Sequence, residues 1–95
     1  LTAVEAVVAS IWPENLHAAI AVPDDKKGEQ IILLTDCEAA DRDLILQKIK
    51  SQGHTELMLP RSIIKIKDFP VLGTGKIDYV GALEHVTRNI TGKLL

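Results

Sequence analysis

Aromatic side chains are scarce in this sequence, which has one Trp, one Tyr and one Phe among 95 residues. Modules that bind single-stranded nucleic acid stack bases on aromatic rings, so this shortage argues against that function. Lys and Arg number 11 against 13 Asp and Glu, for a net charge of −2. That balance gives no general attraction to nucleic acid or to an anionic membrane, so we expect no nucleic-acid partner.

Cysteines and long apolar runs are also in short supply. Cys37 is the single cysteine, so no internal disulfide can form, and we expect a reducing, cytoplasmic location. No apolar run approaches the roughly 20 residues that span a membrane, so we expect a chain that is not membrane-embedded. The opening, LTAVEAVV, lacks a Met and resembles no signal peptide, which suggests a piece of a longer polypeptide.

Apolar residues make up 46% of the chain and follow helical and strand periods in turn. A first helix is predicted to begin at Thr2, with Thr2 and Glu5 as a capping box, and to end before Pro13. Its stripe at helical spacing is Val4, Val7, Val8 and Ile11. Two apolar runs, at 16–22 and 30–35, predict an antiparallel hairpin around a polar turn at 23–28.

The second half of the chain predicts a helix, a strand, a loop and a last helix. The second helix begins at Ala40 or Asp41, points Ile45, Leu46 and Ile49 inward, and ends before Gly53. The strand at 62–67 alternates, with Ile64 and Ile66 inward and a wet face of Ile63, Lys65 and Lys67. Asp78 is predicted to cap the last helix, whose stripe is Tyr79, Leu83, Val86 and Ile90. This order predicts an α+β fold in which helices cover a three-stranded sheet, an antiparallel hairpin plus one further strand.

The loop FPVLGTGKIDY at 69–79 is the segment most suggestive of chemistry. Its GTGK resembles part of a phosphate-binding P-loop, but Pro70 stands where the first glycine is required and Ile77 where Ser or Thr is required. A loop with Gly73 and Gly75 can still approach a ligand closely, and Lys76 could offset negative charge there. A plain connection between strand and helix is the alternative. His17, His54 and His85 have no ligand spacing, so no metal site is predicted.

The same loop resembles the last conserved motif of the adenylate-forming superfamily, which includes acyl-CoA synthetases, adenylation domains of peptide synthetases and luciferases. The likeness extends over nearly the whole chain: LTAVEAVV is similar to the helix after the family's hinge, and residues 17–35 are similar to its hairpin. The resemblance implies that residues 1–95 are the C-terminal lid subdomain, without the hinge and the large N-terminal domain. Residues 59–79 are similar to the synthetase part of bacterial bifunctional acyl-acyl carrier protein synthetase/2-acylglycerophosphoethanolamine acyltransferases.

The resemblance also implies a mechanism shared between two domains. The N-terminal domain of the same polypeptide would bind ATP, Mg²⁺ and a fatty acid, and the acid would attack the α-phosphate. Lys76 would be the catalytic residue that holds the reactants in line, supported by Gly73, Thr74 and Gly75. The lid would then rotate for thioester transfer to the phosphopantetheine arm of an acyl carrier protein. If an acyltransferase precedes the synthetase, the parent protein belongs at the cytoplasmic face of the bacterial inner membrane.

Two departures from the family pattern limit what is carried over. Tyr79 stands where Arg is common, and Leu72 stands where Thr is usual. Two alternatives stay open: a subdomain of an acyl-CoA synthetase, and a non-catalytic module whose lysine loop binds an anion or a partner.

Three cations near the third strand are candidates for contact with an acidic carrier protein: Arg61, Lys65 and Lys67. A solvated strand face or a protected sheet edge is the alternative for them.

Overall fold

The computed structural model describes residues 2–24 and 28–94, with side chains described for residues 2–23 and 28–89. In this part of the chain, helices α1 to α3 and strands β1 to β3 follow in the order α1 Thr2–Ile11, β1 His17–Asp24, β2 Gly28–Thr35, α2 Arg42–Ser51, β3 Ser62–Lys65 and α3 Tyr79–Leu94. A short 3₁₀ turn, Glu56–Met58, precedes β3 and was not predicted. The α+β class predicted from the sequence is confirmed.

The three strands form one mixed sheet in the order β1-β2-β3. Strands β1 and β2 are antiparallel, from His17 opposite Thr35 to Asp24 opposite Gly28, which confirms the hairpin; residues 25–27 of the predicted turn lie outside the described residues. Strand β3 pairs with β2 in parallel, with Ile32 opposite Ser62. A parallel pair needs a long crossover connection, and α2 lies within it.

The central strand, β2, has buried apolar side chains on both faces of the sheet. Leu33 and Leu34 are each 0% exposed and belong to different clusters. One cluster packs beneath α3 and contains Ala18, Ile20, Val22, Ile32, Leu34, Ile64, Phe69, Ala82 and Val86. The other packs beneath α1 and α2 and contains Val7, Val8, Leu33, Ile45 and Ile49. The continuous apolar run at 30–35 is therefore a central strand.

Strand β3 differs from its prediction. It ends at Lys65 instead of Lys67. Its expected wet face is wrong for Ile63, which packs against the cluster beneath α1 and α2, whereas Lys65 and Lys67 are exposed as predicted. The covering residues come from helices distant in sequence, so local alternation alone gave no sign of them.

The stripe predicted for α3 is also partly wrong. Val86 is buried as expected, but Tyr79 is 46% exposed and Leu83 is 44% exposed. Ala82 takes the central position against the sheet, because a small side chain lets the helix approach closely. Ile90 belonged to the predicted stripe, and its side chain lies outside the described residues.

The ends of α2 follow the prediction, and the start of α1 does not. Asp41 is the N-cap of α2 and accepts a hydrogen bond from the Asp43 N–H, and Gly53 has the positive φ of +76° expected just past a helix. At α1, Thr2 is already helical, and the Glu5 carboxylate accepts from the N–H of Ala19 in β1. Glu5 therefore bonds to the sheet, and the predicted capping-box role for it is wrong.

A buried polar chain joins the start of β1 to the end of β2. The Nε2 of His17 lies 2.9 Å from the carbonyl oxygen of Trp12, which can only accept, so this nitrogen carries the proton. In the neutral form of the ring, Nδ1 then accepts from the Thr35 hydroxyl at 2.8 Å, and the same hydroxyl oxygen accepts from the Cys37 N–H at 3.1 Å. Thr35 thus satisfies two buried groups at once.

Replacing Thr35 with valine is expected to lower the free energy of unfolding by about 1–3 kcal/mol, because His17 and the Cys37 N–H each lose a partner away from water. Chemical denaturation of the 95-residue chain measures this loss. Thr87→Val makes the same change at an exposed position of α3 and should stay within about 0.5 kcal/mol. Equal losses in the two variants would contradict the role given to Thr35.

Candidate functional site

The lysine segment is a hydrogen-bonded hairpin and not an open loop. Val71 and Ile77 form an isolated antiparallel bridge. The Leu72 N–H donates to the Lys76 carbonyl at 2.7 Å, and the Asp78 N–H donates to the Pro70 carbonyl at 3.0 Å. We call residues 70–78 the lysine hairpin. Lys76 is therefore held on a defined backbone, immediately after the turn.

The turn at the tip needs one of its two glycines. The Gly75 N–H donates to the Leu72 carbonyl at 2.8 Å, and Gly75 has a φ of +88°. A three-residue hairpin turn usually ends with a residue in this left-handed region, which Gly adopts without steric cost. Gly73 has no positive φ, and a Cβ added there would meet nothing within 4 Å. Both glycines were expected to allow an unusual φ, and in the structure Gly75 has a positive φ whereas Gly73 does not.

Gly75→Ala is expected to destabilise the hairpin by roughly 1–2 kcal/mol, the penalty of a left-handed residue that carries a Cβ. Hydrogen exchange of the backbone amides at positions 72 and 75 should speed up, because both are hydrogen-bonded only while the hairpin is closed. Gly73→Ala is the matched control and should leave both exchange rates nearly unchanged. If the two variants behave alike, the turn assignment is wrong.

The base of the hairpin is fixed to the core while its tip is exposed. Phe69 is buried in the cluster beneath α3, and Ile77 packs against the same cluster. Thr74 and Lys76 are both exposed at the tip. Among the described residues, the Lys76 ammonium has no hydrogen bond or ion pair. The arrangement presents a cation on an anchored stem, with no described residue of this chain placed to neutralise it.

Exposed apolar side chains lie on the hairpin and on the first turns of α3. They are Val71, Leu72, Val80 and Leu83. Such side chains beside a cation suit contact with a partly apolar surface, since exposed apolar groups gathered in one region commonly mark contact sites.

The junction of the hairpin with α3 is tightly packed. Asp78 caps the helix as predicted, accepting from the Gly81 N–H at 3.0 Å. A Cβ on Gly81 would lie 2.8 Å from an Asp78 carboxylate oxygen and 3.3 Å from the Pro70 Cβ. A side chain at position 81 would therefore push the capping carboxylate of Asp78 aside, and the sequence offered no sign of this beyond a glycine in a helical pattern.

Glu5 and Tyr79 form the contact that sequence reasoning missed. The Tyr79 hydroxyl donates to the Glu5 carboxylate, 2.7 Å from one oxygen and 2.8 Å from the other. Partial burial of the phenol, followed by the hydrogen bond and the negative charge of Glu5, raises the pKa of Tyr79 to about 12. The hydroxyl therefore stays protonated, and remains a donor, well above neutral pH.

The cations proposed for carrier contact lie around β3, at the outer side of the sheet. The Arg61 backbone N–H donates to the Ile31 carbonyl, and the Lys65 ammonium donates to the Glu38 carbonyl at 2.8 Å. Lys67 is exposed in the segment after the strand. Their role in carrier recognition stays a prediction.

The rest of the described chain offers little further chemistry. No group of three His, Cys, Asp or Glu residues suited to a metal ion is found among the described residues. Cys37 is a buried free thiol. No helix in the described ranges has the length and apolar character needed to cross a membrane.

Comparison with known proteins places the fold. No protein-family model matches the chain. The chain is similar to a fatty acyl-CoA synthetase of Mycobacterium tuberculosis, with 24% identity and a TM-score of 0.74 over 90% of this chain and 17% of that one. It is also similar to the amide bond synthetase McbA of Marinactinospora thermotolerans, with 25% identity and a TM-score of 0.66 over 84% and 17%. ATP-bound MatB of Rhodopseudomonas palustris gives 19% identity and a TM-score of 0.70 over 94% and 18%.

These similarities confirm the predicted fold, that of the small C-terminal subdomain of adenylate-forming enzymes. The neighbours share this fold and do not single out one kind of synthetase. The chain spans only 17–18% of the length of the three structures named above.

Proposed function

We propose that this chain is the lid subdomain, residues 1–95, of an adenylate-forming ligase and supplies Lys76 to the adenylation step. The observation that carries the proposal is the exposed Lys76 ammonium, which stands on an anchored hairpin without a partner among the described residues. A surface lysine that only interacts with water does not need an anchored hairpin to hold it. The fold shared with larger synthetases is consistent with a part that acts on another domain's site.

In the proposed reaction, a fatty acid carboxylate attacks the α-phosphate of ATP, which releases pyrophosphate and leaves an acyl-adenylate. The Lys76 ammonium lies between the carboxylate and the phosphate oxygens and offsets the charge that builds there. It also holds the two reactants in line, which lowers the entropic part of the barrier. A similar structure, MatB, has been seen with ATP.

Mg²⁺ at a nucleotide site is commonly held by one or two carboxylates and the phosphates themselves, and no cluster of three ligands is found among the described residues of this chain. The ion and the nucleotide would be held mainly by the N-terminal domain of the same polypeptide. The exposed apolar residues beside Lys76, Val71 and Leu72 among them, support contact with that domain.

The acyl acceptor we propose is the phosphopantetheine thiol of an acyl carrier protein, in a protein that also serves lysophospholipid reacylation through a fused acyltransferase. Such a protein would work at the cytoplasmic face of the bacterial inner membrane. Arg61, Lys65 and Lys67 would contact the acidic carrier. CoA is the alternative acceptor, favoured by the similarity to a fatty acyl-CoA synthetase.

The test compares wild type and Lys76→Ala in the polypeptide encoded by the complete gene. Fatty-acid-dependent ATP–pyrophosphate exchange measures adenylation, and acyl transfer from preformed acyl-adenylate measures the second step. Loss of exchange with transfer retained supports the proposal. Unchanged exchange overturns it and favours a module that binds an anion or a partner without chemistry. Transfer to carrier protein and to CoA, measured side by side, distinguishes the two acceptors.

A further inference from the structure

The hydrogen bond between Glu5 and Tyr79 connects the first helix of the chain with the last, across a separation of 74 positions. Tyr79 is the first residue of α3 and follows the lysine hairpin directly. Glu5 lies in α1, on the opposite side of the sheet from the cluster that α3 covers. The contact therefore passes around the edge of the sheet.

Glu5 is itself held in place by the sheet. One of its carboxylate oxygens accepts from the Ala19 N–H at 2.9 Å, and β1 is an outer strand with one side unpaired. A carboxylate that bonds a strand edge has its position set by the backbone of that strand. The phenol of Tyr79 is thus bonded to a fixed point, not to a mobile surface group.

Tyr79 fixes the far end of the hairpin's second arm, where the chain enters α3. Ile77 packs on the core, Asp78 caps α3, and Tyr79 bonds to Glu5. These three consecutive residues are attached to three different parts of the molecule. Lys76 directly precedes them, so the direction of its backbone depends on how firmly they are held.

We propose that Tyr79 is a positioning residue for Lys76, acting through its hydrogen bond to the Glu5 carboxylate at the edge of β1. This inference rests on the proposed function of Lys76 and adds a second residue to it. Tyr79 does not touch the reacting atoms. It limits the places that Lys76 can occupy, which matters because a displacement of about 1 Å at a reacting group can cost about a hundredfold in rate.

The first experiment uses the polypeptide encoded by the complete gene and compares Tyr79→Phe, Glu5→Ala and the double variant. We expect each single variant to lower kcat for ATP–pyrophosphate exchange by about tenfold, with KM for ATP nearly unchanged. Acyl transfer from preformed adenylate should keep its rate, because it does not use Lys76. The double variant should lose no more than Glu5→Ala, because Tyr79→Phe removes nothing further once the carboxylate that accepts from Tyr79 is gone.

Two further variants separate positioning from general stabilisation. Glu5→Gln keeps an oxygen that can accept from Tyr79 and should restore part of the lost exchange. Glu84→Gln alters an exposed acid of α3 and should change neither step. If exchange and transfer fall together in Tyr79→Phe, the contact only stabilises the domain and the proposal is overturned.

The outcomes also distinguish this inference from the proposed function. If Lys76→Ala abolishes exchange and Tyr79→Phe leaves it unchanged, the function holds and the positioning role is wrong. If Lys76→Ala leaves exchange unchanged, both are wrong.

A spectroscopic measurement keeps the inference testable if the variants fold poorly. Tyr79 is the single tyrosine of the 95-residue chain, so the near-ultraviolet absorbance of tyrosinate reports it alone. In the wild-type chain we expect a pKa of about 12, and in Glu5→Gln a lower pKa, because the negative charge is gone. Circular dichroism at each pH is the control for whether the chain is still folded. An unchanged pKa would mean that the contact is not made in solution, which overturns the proposal.

Discussion

Replacing Lys76 with alanine is expected to lower fatty-acid-dependent ATP–pyrophosphate exchange by about a hundredfold or more. Loss of one preorganised donor from a charge-stabilising site typically costs about 10²–10³ in rate. The loss should come from the missing ammonium and not from a change in the hairpin, because the backbone hydrogen bonds of the hairpin do not involve the lysine side chain. The Lys76→Ala chain should therefore keep its fold and its free energy of unfolding, which chemical denaturation can verify.

Two companion variants sharpen this result. Lys76→Arg keeps the charge but replaces a compact ammonium with a planar fork, so we expect an intermediate rate. Lys50→Ala removes an exposed cation from α2 whose partner is Glu56, at 3.2 Å on the surface. Such a surface pair contributes little, and exchange should be unaffected. Equal losses in Lys50→Ala and Lys76→Ala would show that net charge matters and that the hairpin does not.

The second large effect concerns the two faces of β2. Leu33→Ala and Leu34→Ala are each expected to lower the free energy of unfolding by about 2–5 kcal/mol. This is the usual cost of truncating a buried leucine, which leaves a cavity behind. The two residues are neighbours in sequence, are both 0% exposed, and belong to separate clusters. Comparable losses would show that the sheet has a packed layer on each side. Urea denaturation of the 95-residue chain is the measurement.

Leu57→Ala is the matched control for both substitutions. Leu57 is 87% exposed on the 3₁₀ turn before β3, so the same truncation there should stay within about 0.5 kcal/mol. If Leu33→Ala resembles Leu57→Ala while Leu34→Ala is costly, the packing of α1 and α2 on the sheet is wrong.

Local signals in the sequence were sufficient for much of the fold. The apolar run at 30–35, the Asp41 cap and the glycine at position 53 each act over a few residues, and each lies in the structure as predicted. What failed depended on distant partners. Ile63 was expected to be wet because strand alternation puts it on the same face as Lys65 and Lys67, yet helices from elsewhere in the chain cover it. Leu83 was expected inside because of its helical spacing from Tyr79 and Val86, yet it is 44% exposed and Ala82 is buried against the sheet instead.

The candidate site divides in the same way. Lys76 and the Asp78 cap could be found from a short motif, because their surroundings are encoded within ten residues. Glu5 was assigned to a helix cap because its local pattern matched one. The partners it has in the structure, Ala19 and Tyr79, are 14 and 74 positions away. No periodicity connects residues at such separations, so a single sequence gives no sign of the contact.

The hydrogen bond between Glu5 and Tyr79 also bears on the order of folding events. Contacts between the ends of a chain require a long loop to close, and they tend to form after the local ones. An interaction that forms after the folding transition state is broken before that state is reached again during unfolding. We therefore expect the junction of α1 with the start of α3 to open before the sheet does. A brief opening there would release the lysine hairpin from α1 while β1 and β2 stay paired, so the hairpin would loosen without the domain unfolding.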